Sequence, residues 1–148
     1  MTGNNWKVKT HSLFRGDKNG GVSTPVPSAD RSIVRHILFL EGQGRETPYL
    51  STSESPDVAR RFASGFETKV YTSAPASWAA KGVKHRPRTE LLGLLKGKGK
   101  GDAAWKKAYE VSKAAQYVEE SLEHLADFSS RTDLDAVALQ ELTSKLFF

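Results

Sequence analysis

Not one of the 148 residues is cysteine. A chain of this length must hold together by burial and hydrogen bonding alone, and it is long enough to close one hydrophobic core. The same absence removes disulfides, thiolate zinc sites and cysteine nucleophiles from consideration. Four histidines remain, His11, His36, His85 and His124. They are scattered, with no H-x-x-x-H or H-x-H pair, so no metal site is expected. No apolar run approaches the ~18 residues of a membrane span, and no basic segment followed by an apolar one marks a signal peptide. With 38% hydrophobic and 26% charged residues, the chain reads as one soluble globular domain over residues 1–148, with a loose terminus at 1–5.

The net charge of +5 is spread unevenly. Residues 1–80 carry 10 basic and 7 acidic groups, residues 81–113 carry 10 and 3, and residues 114–148 carry 2 and 7. A +7 block is therefore followed by a −5 tail. A block of that sign suits a polyanion, and it equally suits a solvated loop. Inside it, Lys96-Gly97-Lys98-Gly99-Lys100-Gly101 reads as a mobile basic loop. Glycine costs entropy to order and lysine keeps to water.

Residue types predict a mixed α and β chain. A strand is expected over 6–15, ending at Gly16-Asp17, followed by a loop over 16–32. Residues 32–40 suit a short helix or a strand equally. Residues 48–53 read as a strand. Ser55-Pro56-Asp57 is a helix start, with a Ser cap, Pro at the first helical position and an acid near the positive dipole end. That helix is expected to reach Ser64 and stop at Gly65. Residues 69–72 form the next strand. Asp102 is expected to cap a long amphipathic helix, and 134–148 suits a helix or an end strand. Trp6, Trp78 and Trp105 read as core residues rather than stacking platforms.

Three pieces carry the chemistry: Leu13-Phe14-Arg15-Gly16-Asp17, Tyr49-Leu50-Ser51-Thr52-Ser53, and the acidic stretch holding Glu119, Glu120 and Glu123. An arginine at a strand end suits a phosphate clamp, because its planar fork grips two oxygens. A glutamate can bond a ribose hydroxyl and stabilise an oxocarbenium-like centre. Each piece also has a plain reading: Ser53 or Ser55 as a helix cap, and the glutamates as a solvated helix face.

In order and spacing, the three pieces resemble the Arg–Ser–Glu class of mono-ADP-ribosyltransferase toxins, the cholera- and pertussis-like group. The Leu-Ser-Thr-Ser strand is the most specific match, and Glu123-His124-Leu125-Ala126 resembles a Glu-Tyr-Leu-Ala stretch of pertussis-like members. The resemblance implies an α+β fold, a single-domain split β-sandwich with flanking helices around an NAD cleft. It implies NAD as co-substrate, with no metal. Arg15, Gly16, Ser51, Thr52 and Ser53 would line the NAD site, with Tyr49 or Phe62 near the nicotinamide. Arg15, Ser51 and either Glu123 or Glu120 would be catalytic. Ser121 and Val118 stand two positions before those glutamates, a departure from the Glu-x-Glu pattern of arginine-modifying members that argues against an arginine acceptor.

The implied protein is a secreted bacterial effector acting in the cytoplasm of a target cell. Its target is a nucleic acid such as ribosomal RNA, with a protein as the close alternative. A cognate immunity protein is its expected partner, and no membrane is involved. Two rival functions fit the same residues: an NAD glycohydrolase on this fold, or a non-catalytic basic RNA-binding module.

Overall fold

A computed structural model describes residues 6–39, 46–61 and 68–148. Among them the chain forms β1 (Leu13–Lys18), α1 (Ile33–Phe39), β2 (Tyr49–Ser53), α2 (Pro56–Arg60) and β3 (Thr68–Ser73). Then follow β4 (Lys84–Arg86), α3 (Arg88–Leu94), α4 (Ala108–Ser121), β5 (Glu123–Asp127) and α5 (Ala136–Leu146). The fold is α+β, with one five-stranded sheet in the order β3-β1-β2-β5-β4 and every pairing antiparallel.

Period-two alternation along the central strands builds a core on each face of that sheet. Leu50 and Ala126 point to one face, where Leu13, Trp78, Phe128 and the α5 residues Leu139, Leu142 and Leu146 meet them. Tyr49 and Leu125 point to the other, against Ile33 and Val34 of α1, Leu91 of α3, and Val111, Ala114 and Val118 of α4. Helices therefore cover both faces. Of the three tryptophans, Trp78 is fully buried, while Trp6 and Trp105 are half-buried and pack against the two cores.

The sheet is narrowly joined in its middle. β1 pairs with β3 along Leu13↔Ser73 to Lys18↔Thr68, and β2 with β5 along Tyr49↔Asp127 to Ser53↔Glu123. Between β1 and β2 the register is carried by Phe14↔Ser53. Beyond that pair Arg15 bridges the strands with its side chain, Nη1 donating to the Ser51 carbonyl at 2.9 Å.

α2 closes over this joint. Ser55 caps it, its hydroxyl accepting from Val58 N, with Pro56 at the first helical position as the sequence predicts. The helix lies so close to β1 that a Cβ on Gly16 would stand 1.9 Å from the Ala59 carbonyl oxygen. Gly16→Ala must push α2 away from the strand, so a loss of about 1–3 kcal/mol is expected in chemical denaturation. Unchanged stability would show that α2 gives way freely.

Several expectations are corrected. The first strand begins at Leu13 rather than residue 6, because residues 7–11 close a turn through His11 N to Lys7 O at 2.9 Å. β1 also runs through Gly16-Asp17 instead of ending there. Ile33–Phe39 forms helix α1, Leu40 lying outside the described residues, and the C-terminal segment forms helix α5. Asp102 does not cap a long helix; it lies in the 3₁₀ turn Gly101–Ala103, its carboxylate bound to Arg86 at 2.7 Å, and α4 starts at Ala108. That helix stops at Ser121, because Leu122 takes a left-handed φ of 51° and turns the chain into β5. The predicted helix end at Ser64 and Gly65 lies outside the described residues.

Backbone hydrogen bonds fold the Lys-Gly hexad into turns. Gly99 N donates to Lys96 O at 2.8 Å, Lys100 N to Leu94 O at 2.9 Å and Trp105 N to Lys98 O at 2.8 Å. Gly99 sits at φ +78° with no room for a Cβ, which would meet the Ala103 carbonyl oxygen at 1.9 Å. Here glycine is required by a tight turn.

Candidate active site

β2 and β5 lie side by side, so the serine of one strand and the glutamate that opens the other reach the same face. Ser53 stands opposite Glu123, and Ser51 lies two residues further along β2. The Ser51 hydroxyl lies near enough to Glu123 to favour its carboxylate. On its other side, Ser51 Oγ is 2.7 Å from His36 Nε2 on α1, and His36 Nδ1 is 2.8 Å from Thr47 Oγ1. One proton direction satisfies the whole line. Thr47 donates to Nδ1 and Nε2–H donates to Ser51, which leaves the Ser51 hydroxyl proton to turn toward the neighbouring Glu123 carboxylate.

Glu123 is buried at 1% exposure, and its Oε1 has no hydrogen-bond partner. Burial pushes its pKa up to about 7, against the opposing pull of the Ser51 hydrogen bond and the Arg15 charge. His36 moves the other way. Burial first, then the charges of Arg15 and Arg35, push its pKa down to about 3, so it is neutral and donates a single N–H. A buried carboxyl titrating near neutrality is suited to taking a proton from an attacking group.

Arg15 is held from both sides. Nη1 donates to the Ser51 carbonyl, and Nε donates to Asp17 Oδ2 at 2.9 Å. Asp17 in turn accepts from Lys18 N at 2.8 Å, Ser23 N at 2.8 Å and Ser23 Oγ at 3.1 Å. Burial works against the Asp17 carboxylate, but Arg15 and those N–H groups outweigh it and hold its pKa below the usual range. The guanidinium is thus fixed beside the serine and glutamate.

The remaining candidates separate. Tyr49 is fully buried, its hydroxyl donating to Arg31 O at 2.7 Å and its ring edge-on to His36, so it supports the histidine from within the core. Thr52 donates to His124 O, and Ser53 donates to Ser121 O while accepting from Ser55 N, so both hydroxyls serve the backbone. Gly16 provides room for α2. Glu120 stands on the exposed side of α4, accepting from Gln116 at 3.2 Å, and does not join the cluster. Phe62 lies outside the described residues.

No family model, curated protein or solved structure matches this chain. The cluster was only partly visible in the sequence. His36 shares a helix face with Ile33 at i+3 spacing, a pattern that reads as core, and Thr47 carries no motif of its own. Period two places Asp17 on the same side as Arg15.

The histidines are less scattered than the sequence suggests. On the opposite face of β5, His124 Nε2 bonds Glu54 Oε2 at 2.7 Å, and His124 Nδ1 lies 2.8 Å from His85 Nε2. Among the described residues no group of three or more His, Asp or Glu is arranged to hold a metal ion, and no helix is long and apolar enough to cross a membrane.

Proposed function

We propose that the protein is an NAD-dependent mono-ADP-ribosyltransferase, with Arg15, Ser51 and Glu123 as its catalytic residues on a single α+β sheet that is narrowly joined where a split sandwich would part. The observation that carries this reading is the buried Glu123, its carboxyl under the pull of Ser51 and Arg15, with Oε1 lacking a hydrogen-bond partner. An unpartnered carboxylate oxygen fits a ribose hydroxyl donor, and the fixed guanidinium fits phosphate oxygens. Glu123 holds the nicotinamide ribose and stabilises the positive charge that grows at C1′. The C1′–nitrogen bond breaks with its electron pair passing to nicotinamide. An acceptor oxygen or nitrogen forms the new bond to C1′ and gives its proton to Glu123. Thr47, His36 and Ser51 orient the carboxylate for both tasks.

The acceptor is a macromolecule, and the +7 block at 81–113 favours nucleic acid over protein. The resemblance extends the reading to a secreted bacterial effector acting in the cytoplasm of a target cell and matched by an immunity protein.

Nicotinamide release from NAD is the direct test, and release is expected from the wild type in cell lysate. Arg15→Ala is expected to lower it by about 10²-fold or more, as the loss of a charge stabiliser does. Ser51→Ala is expected to lower it and to shift the pH limb upward, because Ser51 is one of the groups holding down the Glu123 pKa. No release from wild type, with or without lysate, sinks the enzyme reading. Labelled NAD then separates transfer from hydrolysis: label retained on a macromolecule supports transfer, and free ADP-ribose alone means a glycohydrolase.

A further inference from the structure

The lysines of the basic block are exposed and collected on one stretch, while its acids are not. Lys96, Lys98, Lys100, Lys106, Lys107 and Lys113 are all exposed, and the ion pairs of this stretch among the described residues are made by arginine. The two acids of this stretch are already engaged. Asp102 binds Arg86 at 2.7 Å and lies 4.0 Å from Arg31, and Glu110 accepts from Trp105 Nε1 at 2.8 Å. Six positive charges therefore face solvent with no opposing carboxylate engaged.

The stretch is also shaped. The Gly99 turn and the Trp105 N to Lys98 O bond bring the lysine loop against the segment that enters α4. Along α4, Tyr109, Lys113 and Tyr117 repeat at i, i+4 and i+8, which puts them on one face. Tyr109 is 66% exposed and Tyr117 is 47% exposed. Eight residues of helix set the two rings about 12 Å apart along the axis. Glu120, one turn further on, bounds the stripe.

We infer that the 96–107 loop and the Tyr109–Lys113–Tyr117 face of α4 form a docking surface for single-stranded nucleic acid. The lysines take the phosphates and the two rings stack on bases. Charge complementarity favours a polyanion, and exposed rings set between lysines favour one with bases to stack. The inference rests on the nucleic-acid acceptor of the proposed function and names the surface that would hold it.

The test is fluorescence anisotropy with a labelled oligouridylate of about twelve nucleotides, in a salt titration without NAD. Wild type is expected to bind with a clear salt slope. Replacing Lys98, Lys100, Lys106 and Lys107 by Gln is expected to reduce that slope by about 3, at roughly 0.7 per phosphate contact. Tyr109→Ala and Tyr117→Ala are each expected to weaken binding about tenfold while leaving the slope in place. No binding at about 50 mM salt overturns the proposal. So does equal affinity for duplex RNA with both tyrosine variants silent, or polyglutamate binding as tightly as RNA, which would indicate an acidic protein instead. Because NAD is absent, RNA binding without nicotinamide release discards the transferase alone, and release without RNA binding discards the surface alone.

Discussion

Glu123→Gln is expected to abolish nicotinamide release and, at pH 8, to make the protein more stable than wild type. The two effects share one cause. Glu123 is buried at 1% exposure, and its pKa is pushed up to about 7 from the ordinary carboxyl value of 4.5. Between those values the folded protein binds a proton that the unfolded chain has released, so stability falls as pH rises through this window. Below about 4.5 both states are protonated and no penalty exists; above about 7 it is complete, on the order of 3 kcal/mol. Glutamine keeps the shape and carries no charge. The variant is therefore expected to melt about 6–12 °C above wild type at pH 8. Near pH 5 the two should nearly coincide. Activity should fall by about 10²–10⁴-fold, the usual contribution of a positioned general base. Wild-type release should rise along a limb near pH 7. Equal melting differences at pH 5 and pH 8 would remove the charge argument, and retained activity would remove Glu123 from the chemistry.

Such a trade is expected where a site keeps an ionisable group out of water for function. It also explains why the site was only half legible. Ser51 and Arg15 stand in short strands with recognisable neighbours, and the Ser55-Pro56 cap fixes where β2 must end. Glu123 is harder to place. A helical reading runs through it, and the turn that stops α4 is made by Leu122 rather than glycine. Leucine seldom takes φ > 0, so nothing local announces the break. The sheet supplies it, since five register pairs with β2 outweigh one costly dihedral. In the Lys-Gly hexad, composition alone does not announce that Gly99 occupies a turn no side chain could enter. His36 was hidden because a histidine on an apolar face reads as core, and only the tertiary approach of α1 to β2 brings its Nε2 to Ser51.

Arg86→Ala is expected to produce the largest loss of stability in the molecule. Arg86 is 9% exposed and gathers three carboxylates: Asp127 at 3.0 Å, Glu90 at 2.9 Å and Asp102 at 2.7 Å. These belong to β5, α3 and the 3₁₀ turn before α4, so one guanidinium ties the edge strand β4 to the elements packed on the Glu123 face. Its five donors suit several acceptors at once, which a lysine could not match. Removing it leaves Asp127, itself 2% exposed, as an uncompensated buried charge beside two others. Breaking a buried pair from one side typically costs about 3–5 kcal/mol. In a domain with roughly 5–15 kcal/mol to lose, that leaves little. Pairing the change with Asp127→Asn should recover part of it, because the most buried of the three charges is then gone. A variant as stable as wild type at pH 7, or a double variant worse than the sum of the singles, would show that this cluster does not hold the fold.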